Sequence, residues 1–260
     1  DLKTSEHYLG FGDRTVVLVR ANAVQLATTF DAIDDIAELR RPHELSSLLP
    51  SMHPTEQKEW IDELQTRLEA ASNQAPVVCI LDRGVQGNHP LLEASITAED
   101  HHVADPTWRK DLTLYPHGTE MAGLALYGDL QAAILSNHVI RLGHRLESVK
   151  ILPDQGANDP DVYGAVMARG VDQPEITTRD RKRVFMLAIT AENPNREAND
   201  EQQHSPGESG RPTAWSATID ALAFGRAIDD TADKFTYLDR NEEQHPRLFI
   251  VSAGNIRDVR

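Results

Sequence analysis

Val77-Val78-Cys79-Ile80-Leu81-Asp82-Arg83-Gly84-Val85 is the stretch on which the fold turns. Five consecutive apolar residues fit a strand that is covered on both faces, since a half-exposed strand alternates apolar with polar side chains. The run stops at a carboxylate followed by Arg83 and Gly84. Asp82 is therefore expected at the carboxyl end of a buried parallel strand, where open α/β sheets keep their sites. Asp and Gly are also ordinary turn residues, and that plainer reading stays open for Asp82 taken alone. Cys79 is the only cysteine in the chain, so no internal disulfide can form, and inside this run it reads as a small buried hydrophobe.

Outward from this strand, short apolar runs alternate with helical stretches. Strands are expected at 77–81, 147–152, 183–189 and 247–252, and helices at 118–128, 160–172 and 214–228. That alternation predicts an α/β domain with three layers, a doubly wound and mainly parallel sheet flanked by helices. Upstream, Trp60, Ile61, Leu64 and Leu68 recur at helical spacing and predict an amphipathic helix over 55–70. The amino-terminal region reads as a small β-α-β appendage: a strand at 15–20, a helix at 22–29 and an extended segment at Ile36–Leu39. The organisation expected is an extension over 1–50, a Pro-punctuated linker and helix over 51–75, and the main domain over 76–260. Residues 192–212, rich in Asn, Glu, Gln, Ser, Pro and Gly, read as a surface loop.

Composition narrows the function. The 260 residues are 40% hydrophobic and carry a formal net charge of −15, from 41 acidic and 26 basic residues. Such a field repels nucleic acid and anionic membrane surfaces, so neither is an expected partner. The excess carboxylate serves solubility, with a preference for basic substrates as the alternative. No apolar stretch approaches the length of a membrane span and no secretory leader is recognisable, which makes a cytoplasmic location the expectation, although the chain starts at Asp1. A doubly wound nucleotide-binding domain is disfavoured because neither Gly-x-Gly-x-x-Gly nor Gly-Lys-Ser/Thr occurs.

Two further positions are candidates for chemistry, and for each a plainer reading stays open when it is taken alone: an ordinary histidine at a helix start, and plain turn chemistry at a Gly-Asn corner. His117 opens the run His117-Gly118-Thr119-Glu120-Met121-Ala122-Gly123, in which Gly118, Ala122 and Ala125 give a small face for close helix packing. Its ring is expected at the mouth of the fold. Asn255 ends Phe249-Ile250-Val251-Ser252-Ala253-Gly254-Asn255, a strand running into a Gly-Asn turn, where a side-chain amide can donate into the same cleft. Of the 11 histidines, His89, His101-His102 and His117 match no zinc spacing, so no metal ligand is assigned. No cofactor is expected, and scattered acids do not define a calcium site.

Order and context join these signals. Ile80-Leu81-Asp82-Arg83-Gly84-Val85 with His89-Pro90-Leu91, then His117-Gly118-Thr119, then Ser252-Ala253-Gly254-Asn255, resembles the subtilisin-like serine peptidases, or subtilases, over roughly residues 76–260. In that family the chain order is Asp, His, oxyanion Asn, Ser. The resemblance implies a serine endopeptidase in which Asp82 orients and steadies the His117 imidazole while His117 moves the proton. It makes Asn255 an oxyanion donor, a role whose loss costs about 2.7–4 kcal/mol of barrier lowering. It places Ala188, Ile189 and Thr190 on the strand that pairs with an extended polypeptide substrate. The stretch from Val16 to Pro42 is similar to the second half of a subtilase propeptide, with an ordinary amino-terminal extension as the alternative. Glu120–Asp129 and Arg145–Pro153 look most like a bacterial intracellular branch often encoded beside an AAA-type ATPase, which implies that ATPase as a partner.

One departure matters. No Gly-Thr-Ser-x-Ala nucleophile motif occurs in the 260 residues, and Ser209 and Ser216 both precede Asn255 in the wrong context. The chain stops five residues after Asn255, and the nucleophilic Ser is expected on a helix beyond Arg260. This chain alone is then predicted inactive. The competing expectation is a catalytically dead relative that binds extended peptides without cutting them.

Overall fold

A computed structural model describes residues 3–30, 35–40, 48–110, 113–189, 213–226, 228–229, 236–237 and 245–252. The chain divides into two compact units, Asp1–Leu45 and Ser46–Arg260. In the first, β1 (Lys3–Gly10) and β2 (Thr15–Arg20) form an antiparallel hairpin with Tyr8 opposite Val17, and α1 (Ala23–Phe30) follows. Asn22 and Gln25 start α1 by exchanging backbone-to-side-chain hydrogen bonds, each 2.9 Å. Among its described residues the unit thus runs β-β-α instead of the expected β-α-β. Lys3-Thr4-Ser5-Glu6-His7 carries little apolar signal to mark β1 in the sequence, and Ile36–Leu39 forms no strand.

In the second unit the elements are α2 (Leu48–Ser51), α3 (Pro54–Thr66), β3 (Leu68–Glu69), β4 (Val77–Asp82), β5 (His101–Val103), α4 (His117–Tyr127), α5 (Leu130–Leu135), β6 (Ile140–Arg141), β7 (Arg145–Lys150), α6 (Tyr163–Thr177), β8 (Arg183–Leu187), α7 (Ala214–Ala223), β9 (Ile228–Asp229), β10 (Thr236–Tyr237) and β11 (Leu248–Val251). Among the described residues the main sheet has five strands in the order β11-β8-β4-β7-β5, and each neighbouring pair is parallel. After β4 the chain goes to the outer edge of the sheet on one side as β5 and returns as β7 between β5 and β4. It then crosses over β4 to place β8 and β11 on the other. β4 therefore stands at the switch in strand order, the position at which open α/β sheets keep a crevice beyond their carboxyl ends.

Alternation along β4 sorts the core into two layers. Cys79 and Leu81 pack with Val149, Phe185 and Leu187 against Met167 and Val171 of α6 and Leu222 of α7. Ile80 turns the other way, with Leu146, onto Ala122 and Leu126 of α4. Helices cover both faces, giving the three-layer α/β arrangement with a parallel sheet that the apolar runs predicted.

Differences at element ends have physical causes. All six residues of β7 are buried, including Arg145, Glu147 and Lys150, so the strand starts two residues before the expected position 147. The charges are tolerated because they are paired. Glu147 accepts from Arg183 Nε and Arg181 Nη1, both at 2.6 Å, and Asp100 accepts from Arg181 Nη1 at 2.6 Å and Arg145 Nη2 at 3.0 Å. α6 continues through Pro174 into its last turn, where the Pro174 carbonyl accepts from Thr178 N and Arg183 Nη2. α7 stops at Ala223, short of the expected 228. Gly225 follows at φ +90°, with His245 backbone 2.7 Å from where a Cβ would stand, so the chain turns there as only Gly allows. The expected loop at 192–212 lies outside the described residues.

Candidate active site

Asp82 is the last residue of β4 and its side chain is only 2% exposed. Its backbone carbonyl accepts from Ile151 N at 2.8 Å, which carries the β4–β7 pairing to the sheet rim and fixes where the carboxylate emerges. Oδ1 accepts the Arg83 backbone N–H at 2.7 Å, leaving Oδ2 for a second donor. That donor comes from 35 residues away: His117 Nδ1 lies 2.7 Å from Asp82 Oδ2. The imidazole is 47% exposed at the start of α4, so a buried carboxylate holds an open ring by one nitrogen. With Nδ1 donating to Asp82, Nε2 is the nitrogen free to take a proton from a substrate or nucleophile.

Glycines set this distance. Gly84, at φ +101°, turns the chain immediately after Asp82, and a Cβ on Gly118 would stand 2.3 Å from the Gly84 carbonyl oxygen and 3.2 Å from Asp82 Cβ. The first turn of α4 therefore rests backbone against backbone on the end of β4. Thr119 completes the joint by accepting the Gln86 N–H at 2.9 Å on its Oγ1. Asp82-Arg83-Gly84 and His117-Gly118-Thr119 are thus one interlocked contact.

Two cations flank it. Lys150, in register with Asp82 at the end of β7, is buried and donates to the Arg109 carbonyl and to Asp154 Oδ1, each at 2.8 Å. Arg83 donates to the Pro153 and Gly156 carbonyls and lays its guanidinium over the Tyr115 ring, 4.7 Å from the centroid. Sequence reasoning gave neither cation a role. The available signal was a charged residue directly after a buried strand end and another at the last position of β7.

The remaining candidates divide. Ala188 and Ile189 follow β8 at its carboxyl end, beyond the last β4–β8 pair, Ile80 with Met186. Thr190, Asn255 and Ser209 lie outside the described residues. Ser216 is spoken for as part of the α7 capping box: its Oγ donates to the Thr213 carbonyl at 3.0 Å and accepts the Thr213 N–H at 2.9 Å. Among the described residues no three His, Cys, Asp or Glu side chains gather to hold a metal ion. Burial lowers the pKa of His89, His101 and His102 below the usual imidazole range, which favours their neutral forms.

A family model described as Subtilase family (Peptidase_S8) matches residues 73–259. The chain belongs to the subtilase family. That assigns the domain to the serine peptidases, hydrolases of peptide bonds. No curated protein and no solved structure matches the chain. Among the described residues no helix is long and apolar enough to cross a membrane.

Proposed function

We propose that this chain supplies the acid–base half of a serine endopeptidase site, with Asp82 orienting His117 and His117 acting as general base and then general acid. The observation that carries this reading is the 2.7 Å contact between a buried carboxylate and an open imidazole at the sheet's switch point. Asp82 fixes the ring with its Nδ1–H inward and stabilises the imidazolium that forms when Nε2 takes the serine proton. Asn255 would donate to the oxyanion of the tetrahedral intermediate. Ala188, Ile189 and Thr190 would pair with an extended polypeptide backbone past the end of β8.

The nucleophile in this reading comes from a Gly-Thr-Ser segment outside these 260 residues, since none occurs within them. These residues alone then form no acyl-enzyme. An AAA-type ATPase is the partner we propose, with a cytoplasmic setting, on the likeness of Glu120–Asp129 and Arg145–Pro153 to the intracellular branch. The proposed reaction calls on no cofactor, and a structural calcium ion stays open.

A fluorophosphonate probe tests the proposal. The 260-residue chain should stay unlabelled, whereas the natural gene product that carries a Gly-Thr-Ser segment should be labelled at that Ser and lose labelling when His117→Ala is introduced. A folded product that carries the segment and resists labelling sinks the peptidase reading. A gene product without the segment, binding extended peptides and leaving them intact, establishes the dead-relative reading instead.

A further inference from the structure

We propose that Arg83 is a positioning residue for the Asp82–His117 pair, a role that rests on the peptidase reading above. Its backbone N–H holds Asp82 Oδ1 at 2.7 Å, so the conformation of residue 83 helps decide how the carboxylate is rotated toward His117. Its side chain is fixed at three points. The two terminal nitrogens reach the Pro153 and Gly156 carbonyls, and the planar face lies on Tyr115, two residues before His117.

Arg83 therefore touches all three segments that meet at the site. It belongs to the strand end that bears Asp82, it grips the loop after β7, and it stacks on the segment that leads into α4. That loop is also held from below by Lys150 through Asp154, so it is a firm anchor and not a free surface turn. A flat guanidinium with parallel donors suits this task, because it can bridge two carbonyls while offering a face to an aromatic ring. A lysine ammonium can also donate to carbonyls but offers no planar face to lay on the Tyr115 ring.

The test reads the His117 ring directly, independent of any nucleophile. In the 260-residue chain, proton NMR should show the His117 Nδ1–H far downfield, as expected for a short bond to a carboxylate, and that resonance should vanish in Asp82→Asn. Arg83→Met should speed exchange of this proton with water about tenfold, the scale of losing one charge-assisted hydrogen bond, and Arg83→Lys should fall between. Arg247→Met, which removes a remote ion pair to Glu175, serves as a control for general destabilisation and should leave the exchange rate unchanged.

If the parent chain shows no such resonance, the Asp82–His117 pairing itself fails and the peptidase reading with it. If the parent shows the resonance and Arg83→Met retains it at the parent exchange rate, Arg83 does not position the pair, while the peptidase reading stands. Should Arg83→Met not fold, Arg83→Lys and Tyr115→Leu decide by the same measurement: faster exchange supports the role, and an unchanged rate overturns it.

Discussion

Replacing Gly118 by Ala adds one methyl group at the joint between α4 and β4, and its consequence can be worked from distances. The new Cβ would stand 2.3 Å from the Gly84 carbonyl oxygen, while relief requires separations of about 3.5 Å, so the first turn of α4 must retreat by roughly 1 Å. Backbone sits on both sides of the contact, and no side chain can rotate away to absorb the change. Overpacking of this kind costs about 1–3 kcal/mol, against a gain of up to about 1 kcal/mol from the better helix propensity of Ala. His117 rides on the same turn. Its 2.7 Å bond to Asp82 would stretch past about 3.2 Å, beyond the range of a normal hydrogen bond. Under the general-base role proposed for His117, a 1 Å misplacement of the ring would cost about 10²-fold in rate. Gly123, also in α4, provides the internal comparison, because a Cβ there meets nothing within 4 Å. Urea denaturation should show Gly118→Ala destabilised and Gly123→Ala unchanged or stabilised, with the His117 Nδ1–H resonance lost only in the first. Equal stability of the two variants, with that resonance intact in both, would refute the claim that backbone contact sets the geometry.

Glu147→Gln should destabilise the domain by about 3–5 kcal/mol in urea melts, since it leaves Arg183, whose side chain is 4% exposed, without the carboxylate that neutralises it; a loss under 1 kcal/mol would mean the network is not buried as described. Acid should weaken the fold in two stages. His89, His101 and His102 have folded pKa values lowered by burial, so the unfolded chain binds protons first and stability falls as pH drops below about 6.5. Asp100 is raised by burial but lowered more strongly by its hydrogen bonds from Arg181 and Thr97; its net depressed value removes further stability below the ordinary carboxylate pKa of 3.8. Urea midpoints measured from pH 8 to pH 3 should show both declines, and a His89→Gln/His101→Gln/His102→Gln variant should lose the upper one.

The apolar runs made the sheet legible because a strand buried on both faces has no polar alternation to confuse with anything else. β4 emerged from Val77-Val78-Cys79-Ile80-Leu81, and the Asp82 and His117 positions followed from where that strand and the next small-residue helix begin and end. The start of β7 was obscured by Arg145 and Glu147, which look like solvent-facing charges until Asp100, Arg181 and Arg183 arrive from elsewhere to pair with them. β5 was hidden for a related reason. His101-His102-Val103 is too short and too polar to announce a strand, yet it pairs in parallel with Ser148, Val149 and Lys150. Arg83 illustrates the same limit at the site. Its carbonyl partners lie 70 and 73 residues further along, and nothing local distinguishes an anchored guanidinium from an exposed one.

The two ends of the sheet treat carboxylates in opposite ways, and the contrast bears on the role we propose for Asp82. At the amino ends, Glu147 has both oxygens taken by guanidiniums, so its charge is spent on holding Arg181 and Arg183 in place. At the carboxyl ends, the nearest cation along the chain, Arg83, gives Asp82 only its backbone N–H and sends its guanidinium to main-chain carbonyls. One oxygen of Asp82 thus remains for an imidazole. Had the Arg83 guanidinium turned back onto Asp82, a bidentate pair would have competed with His117 for the same lone pairs. The loop after β7, by offering the Pro153 and Gly156 carbonyls, keeps that competitor occupied, and so, under the role proposed for Asp82, it helps leave Oδ2 open to His117.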